Sequence, residues 1–299
     1  MKIYISGAMS NQPYYGFPTF DATRDFLDSL GHDPVSPADI DRSLGVFEDT
    51  PCDAEMRNML LRHDLAAETT CEAIAFLPGW ELAEGAWIER NLAEQLGLSL
   101  WRIDPVERTL VRERVVGISG YVGAGKDAAA SHLVQAGFTR IAYADALKEV
   151  AYAANPVVGG IFRKRRLQEL VDKVGWDVAK QRREVRRFLQ HLGSEGGRAV
   201  LGEQIWVDTL FRRSTAADLV IPDARYANEM TAIRRRRGLI VRIERPGVGP
   251  VNGHSSETEV SGEPFEAVVH NDGPLDELGS RVLAAVNRHY ADNEEQVSA

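Results

Sequence analysis

The sequence predicts an α/β protein made of two doubly wound parallel-sheet domains, one over residues 1–108 and one over 109–299. Three observations predict it. Apolar strand-like runs alternate with helical periodicities through the first hundred residues, the pattern of a parallel sheet covered by helices on both faces. A second strand, glycine loop and helix begin at Val115, past a break at 104–108 that reads as a short linker. Charge divides at the same place: residues 1–104 carry 7 Lys and Arg against 18 Asp and Glu, and the remainder 28 against 26. A chain of 299 residues is also long for one core and ample for two.

In the first domain, residues 2–6 read as a strand running into Gly7. Residues 19–30 form a helix with Phe20, Thr23, Phe26, Leu27 and Leu30 on one face and Gly31 as its stop. A short strand over 32–36 precedes a patternless loop, 37–51. A helix over 53–69, an almost wholly apolar strand over 71–77, a helix over 84–96 closed by Gly97 and a strand over 99–103 complete the domain. Ligands of such sheets sit beyond the carboxyl ends of the strands. That rim holds the segments 7–15 and 78–85. Two carboxylates lie on adjoining helices, Asp64 late on one and Glu89 one turn into the next. Such a pair can break a glycosidic bond, one group attacking the sugar carbon and the other protonating the leaving group. Spacing alone does not separate this from two ordinary acidic helix positions.

The blocks Lys2-Ile3-Tyr4-Ile5-Ser6-Gly7-Ala8-Met9, Phe17 to Phe20, Leu61 to Leu65, Leu77-Pro78-Gly79-Trp80 and Gly85-Ala86-x-x-Glu89 resemble the nucleoside 2-deoxyribosyltransferases and 2'-deoxynucleoside 5'-monophosphate N-hydrolases. The resemblance implies a Rossmann or flavodoxin-like domain. It implies Glu89 as nucleophile on C1' of a deoxyribose, Asp64 as the group handling the base, and Tyr4 and Gly7 beside sugar and phosphate. It also implies self-association, since relatives often complete the site across an oligomer interface. Ala83 stands where the group often has Ser.

The second domain is organised around Gly120-Tyr121-Val122-Gly123-Ala124-Gly125-Lys126-Asp127. The apolar run 115–119 leads in, and an apolar-periodic helix to about residue 136 leads out. That context makes the G-x-x-x-x-G-K match a phosphate-binding loop. Glycines let the backbone curl so that several N–H groups face one anion, and the helix adds the positive end of its dipole. Asp127 occupies the position where Ser or Thr ordinarily holds Mg²⁺. A strand over 140–143, a helix opening at Asp145 and Lys148, a polar and basic helical stretch over 161–192 and a break at 193–198 follow. Then come a helix through Trp206 and Leu210, a strand over 218–221 ending at Asp223, a helix over 226–236, strands over 239–243 and 267–270, and a helix over 275–290. Phosphate loop, strand-end acid and basic lid are the plan of a P-loop kinase. Asp223 can reach a loop-bound Mg²⁺ or serve as a turn or cap residue. Arg163 to Arg166, with Arg182, Arg183, Arg186 and Arg187, are candidate phosphate clamps. The run 234–237 reads as a helix terminus balanced by its dipole.

This half resembles the bacteriophage deoxynucleoside monophosphate kinases through the loop, Tyr143 to Lys148, Phe188 to Glu195 with Arg198 and Trp206, Asp223-x-Arg225-x-x-Asn228-Glu229, Ser255-Ser256-Glu257 and Asn271-Asp272. By that resemblance Gly120, Gly123, Ala124, Gly125, Lys126, Asp127 and Ala128 hold ATP. Lys148, Arg198 and Arg225, with Asp145, bind the acceptor nucleotide, and Asp127 and Asp223 are the Mg²⁺ candidates. Ala128 replaces a common Thr. The implied enzyme is bifunctional, phosphorylating a dNMP and cleaving or exchanging the glycosidic bond of a deoxynucleotide. A kinase with a nucleotide-sensing front domain, or another P-loop small-molecule kinase, stays open. The net charge of −9 argues against a nucleic-acid partner. The absence of a long apolar run argues against a membrane. Cys52 and Cys71, without metal spacing, and the lack of a signal peptide suit a cytoplasmic protein.

Overall fold

The computed structural model describes residues 1–10, 12–159, 164–249 and 264–297, with side chains through residue 291. The expected Arg163 clamp and the Ser255-Ser256-Glu257 block lie outside the described residues.

The first sheet contains β1 (Lys2–Ser6), β2 (Asp33–Val35), β3 (Ala73–Phe76), β4 (Ser99–Asp104) and β5 (Thr109–Arg112) in the order β2-β1-β3-β4-β5. The first four are mutually parallel; β5 is antiparallel to β4. The helices are α1 (Phe17–Ser29), α2 (Pro37–Ser43), α3 (Ala54–Glu68) and α4 (Glu84–Leu96). Successive strand residues serve opposite faces. Ile3, Ile5, Ala73 and Ala75 pack with Phe17, Phe20 and Leu27. Tyr4, Ile74 and Phe76 pack with Trp80, Ala86 and Ala93.

Two expectations change here. The loop foreseen over 37–51 contains α2, which starts on Pro37, a residue whose fixed φ and missing N–H suit a first helical position. The linker foreseen at 104–108 is the turn of a hairpin, so residues 109–112 belong to the first sheet. Asp104 Oδ1 accepts the N–H groups of Val106 and Glu107, and Arg108 turns the chain at φ 50°.

The second sheet is wholly parallel: β6 (Arg114–Ser119), β7 (Thr139–Arg140), β10 (Asp218–Ile221), β11 (Leu239–Glu244) and β12 (Ala267–His270), in the order β12-β11-β6-β10-β7. Around it lie α5 (Lys126–Gln135), α6 (Tyr143–Ala154), α7 (Leu167–Ala179), α8 (Arg183–His191), α9 (Ala199–Leu201), α10 (Ile205–Arg212), α11 (Ala227–Arg235) and α12 (Leu275–Val297). Val116, Ile118, Val220 and Val241 pack under α5 and α12 on one face. Val115, Leu219, Ile221 and Ile240 pack under α10 and α11 on the other.

The strand expected over 140–143 is shorter, because Tyr143 already begins α6. The basic stretch is not one helix. A hairpin of β8 (Val157–Val158) and β9 (Arg165–Arg166) precedes α7, which kinks at Gly175 (φ 75°). The break expected at 193–198 is a π-helical turn, Leu192–Arg198, continuous with α8. It lies against Trp206, whose indole N–H donates to Gly193 O at 2.9 Å, and a Cβ on Gly197 would stand 2.6 Å from the indole ring.

Candidate functional site

Each sheet has a switch point where the strand order reverses and the chain connections leave toward opposite edges, beside β1 in the first and β6 in the second. The candidate residues gather at these two places.

At the first, alternation along β1 turns Tyr4 and Ser6 toward α4. The Tyr4 hydroxyl donates to Glu89 Oε1 at 2.8 Å, and the Ser6 hydroxyl to Glu89 Oε2 at 2.5 Å. Glu89 is buried, and burial raises its carboxyl above the ordinary value while the two donors pull it back. Asp64, on α3, is buried with Oδ1 unpaired. Desolvation, then the charges of Glu89 and Asp41, push it up to about 9. The structure therefore brings Tyr4, Asp64 and Glu89 together. Gly7 stands at the rim, where a Cβ would meet Leu77 Cδ1 at 2.9 Å.

Sequence reading missed three members of this group. Ser6 completes the hold on Glu89. Glu68, one turn beyond Asp64, is wholly buried, and burial followed by the Glu89 charge raises it to about 9. Burial raises Asp41 on α2 to about 6. The spacing of Glu68 from Asp64 was the available signal; Asp41 sat in a stretch read as loop.

At the second switch point the phosphate loop follows the central strand. Gly120, Gly123 and Gly125 have φ of 149°, 85° and 106°, a region side-chain-bearing residues avoid. A Cβ on Gly120 would lie 2.7 Å from Ile243 O, and one on Gly125 2.5 Å from Asn271 Nδ2. Asn271, buried beyond β12, donates to Ala124 O at 2.8 Å and so braces the loop. Lys126 arches back over the loop and donates to Gly120 O (2.7 Å) and Tyr121 O (2.9 Å). Asp127 is exposed on the first turn of α5, followed by Ala128. Arg245, not singled out by sequence, has Nη1 3.4 Å from Gly123 O at the loop mouth.

Beside the loop, at the end of β10, Asp223 accepts the backbone N–H groups of Tyr143 (3.0 Å) and Ala144 (3.1 Å). It thus caps α6 from a distant part of the chain. α6 carries Asp145 and Lys148, which form an ion pair at 3.0 Å. Arg198, at the end of the π-helical turn, donates to Glu229 Oε1 at 2.8 Å and lies 3.7 Å above the Tyr226 ring. Glu229 Oε2 accepts from the backbone N–H of Arg225 (2.8 Å) and Tyr226 (3.1 Å). Burial lifts Glu229 to about 7 against the pull of those donors and of Arg198. Asp145, Lys148, Arg198, Asp223 and Arg225 therefore stand on one connected framework.

The residues fit ATP: a glycine cradle in which Gly120 and Gly125 have no room for a Cβ, a lysine over it and a helix N-terminus behind it. For Mg²⁺ the chain offers Asp127 and the remaining lone pairs of Asp223. No cluster of three or more acidic, His or Cys ligands occurs among the described residues. That suits a cation held mainly by phosphates and water. No helix among the described residues is long and apolar enough to cross a membrane. Of the run expected as a basic helix terminus, Arg234 and Arg235 do stand in the last turn of α11, while Arg236 and Arg237, just past it, reach across to the first sheet's half.

Residues 160–282 match the family model described as deoxynucleotide monophosphate kinase. Residues 1–102 match one described as a domain of unknown function, DUF4406. The chain is 26% identical over 190 residues to a protein of Acanthamoeba polyphaga mimivirus named "Putative deoxynucleotide monophosphate kinase", with 58% of this chain and 96% of that protein aligned. It is 30% identical over 104 residues to the deoxynucleotide monophosphate kinase of Enterobacteria phage T4, with 33% of this chain and 43% of that enzyme aligned.

Proposed function

We propose that the second domain is a P-loop kinase that transfers the γ-phosphate of ATP to a deoxynucleoside monophosphate, yielding ADP and a dNDP. The observation that carries this reading is the placement of a braced phosphate loop beside a framework holding Arg198, Arg225 and Lys148, within a chain whose residues 160–282 match the kinase family. The loop N–H groups bind the donor phosphates, and Lys126 exchanges its two carbonyl partners for phosphate oxygens. Arg198, Arg225 and Lys148 hold the acceptor monophosphate with an oxygen in line with the γ-phosphorus, and ADP leaves as the new P–O bond forms. Asp127 and Asp223 are the side chains that would hold a Mg²⁺ ion, which would supply charge neutralisation between the phosphates. Asp223 also fixes the acceptor side through its cap on α6.

The test is ADP formation by the full chain with ATP and each dNMP in turn. Turnover is expected with at least one dNMP, and Lys126→Ala lowers it by roughly 100-fold or more. No ADP from a folded protein with any dNMP overturns the reading.

A second activity is favoured by the hold on Glu89. We read the first domain as flavodoxin-like, supported by its strand order and cleaving the N-glycosidic bond of a deoxynucleotide. Glu89 attacks C1', Asp64 gives its proton to the departing base, and water then releases the sugar phosphate from Glu89. Tyr4 and Ser6 keep the nucleophile oriented. Free base is expected from a dNMP with wild-type protein and not with Glu89→Ala. Equal release by both removes Glu89 from the mechanism, and nucleotide binding without any release makes the domain a sensor.

A further inference from the structure

We propose that Glu229 is a positioning residue of the kinase site, setting both arginines that grip the monophosphate of the acceptor nucleotide. The inference rests on the kinase reading and goes beyond it by naming what orients those arginines.

Glu229 is 2% exposed, on the first turn of α11. Its two oxygens do different work. Oε1 receives the Arg198 guanidinium, delivered from the π-helical turn 31 residues earlier. Oε2 receives the N–H groups of Arg225 and Tyr226, closing the turn that presents Arg225. Its main-chain carbonyl, 3.2 Å away, accepts the Tyr143 hydroxyl from α6, the helix that carries Asp145 and Lys148. One residue thus touches all three segments expected to meet the acceptor.

The geometry leaves Arg198 suited to a phosphate. Glu229 takes one terminal nitrogen, and the Tyr226 ring lies against one face of the guanidinium. A guanidinium held on one nitrogen and one face keeps its other donors in a fixed fork, the arrangement that binds a phosphate bidentately. An arginine free to rotate loses that advantage as orientational entropy at the moment of binding. Glu229 itself is buried, with both carboxylate oxygens engaged by protein groups. Its effect on the reaction passes through Arg198 and the Arg225 turn.

The test is steady-state kinetics of the full chain, varying dNMP and ATP separately, for wild type, Glu229→Gln and Glu229→Ala, with dNMP binding followed by calorimetry. Gln keeps one acceptor oxygen and the side-chain shape, so Glu229→Gln serves as the folded control should Glu229→Ala unfold. A rise in the dNMP KM of roughly 10- to 100-fold is expected for Glu229→Ala, with a smaller rise for Glu229→Gln and an unchanged KM for ATP. Calorimetric dNMP affinity falls in parallel. Variants that lose only thermal stability while keeping the wild-type KM for dNMP overturn the inference and leave the kinase reading intact. A wild-type protein that neither binds nor phosphorylates any dNMP overturns both.

Discussion

Glu68 and Asp64 are carboxyls buried one helical turn apart beside a third, Glu89, without a cation among them. Their raised values have a direct consequence for stability. Both bind a proton more tightly in the folded chain than at the ordinary values of 4.5 and 3.8, and release it near 9. Between those limits the folded state holds more protons than the unfolded one, so stability falls as pH rises. Glu68→Gln removes one of these titrations and keeps the shape. Its melting temperature is therefore expected to match wild type near pH 4.5 and to exceed it by on the order of 5 °C or more near pH 9. Scanning calorimetry at both pH values checks this, and a constant difference across the range refutes it. At this scale the sequence disclosed residues marked by local motif: Lys126, Asp127, Glu89, Arg198. It did not disclose the partner a residue meets far along the chain, even for Glu229 and Asn271, which stand in motif blocks. Ser6 meets Glu89 across 83 residues, Glu229 meets Arg198 across 31, and Asn271 meets the phosphate loop across 147.

The elements divide in the same way. Strand β6, the loop and α5 were readable because glycine spacing and apolar periodicity are local signals. The β4–β5 hairpin was not, since its turn depends on Asp104 closing back on two N–H groups and on a left-handed Arg108. The π-helical turn was read as a break because Gly193 and Gly197 are explained by the indole of Trp206, farther along the chain. The loop itself is an element whose shape is enforced from outside. Asn271 pins Ala124 O and occupies the space a Gly125 side chain would need, while φ of 106° already disfavours any other residue there. Gly125→Ala is therefore expected to fold and to lose ATP binding. In the wild type, ATP is expected to raise the melting temperature by mass action on the folded state. The variant's melting temperature is expected to stay fixed as ATP is added, and an equal rise in both would show that the loop tolerates the change.

At the scale of the whole molecule, the two domains are joined by buried charge as well as by chain. Arg236, at the end of α11, pairs with Glu94 of α4 at 2.6 Å and lies 3.5 Å over Phe211. Glu94 also holds Arg90, which forms a bidentate pair with Glu113 at 2.7 and 3.1 Å. Next to Arg236, Arg237 adopts φ of 51° and donates to Gly97 O and Ser99 Oγ. Arg112 of the first sheet lies over the ring of Tyr290, whose hydroxyl is hydrogen-bonded to Val115 of the second. Because these groups are out of water, removing one leaves its partner desolvated, at a cost on the order of 3 kcal/mol. α4 carries Glu89 and α11 carries Glu229, so the joint connects the helices of both candidate sites. The wild-type chain is accordingly expected to unfold in one cooperative calorimetric transition. Arg236→Ala deprives Glu94 of its cross-domain partner and uncovers one face of the Phe211 ring, while the clusters around Val116 and Ile74 keep their members. It is expected to split the transition in two, the earlier one below the wild-type midpoint, and Glu94→Gln to do the same more weakly. A single unshifted transition in Arg236→Ala would mean that each domain's own core, and not the charged joint, sets the cooperativity of the molecule.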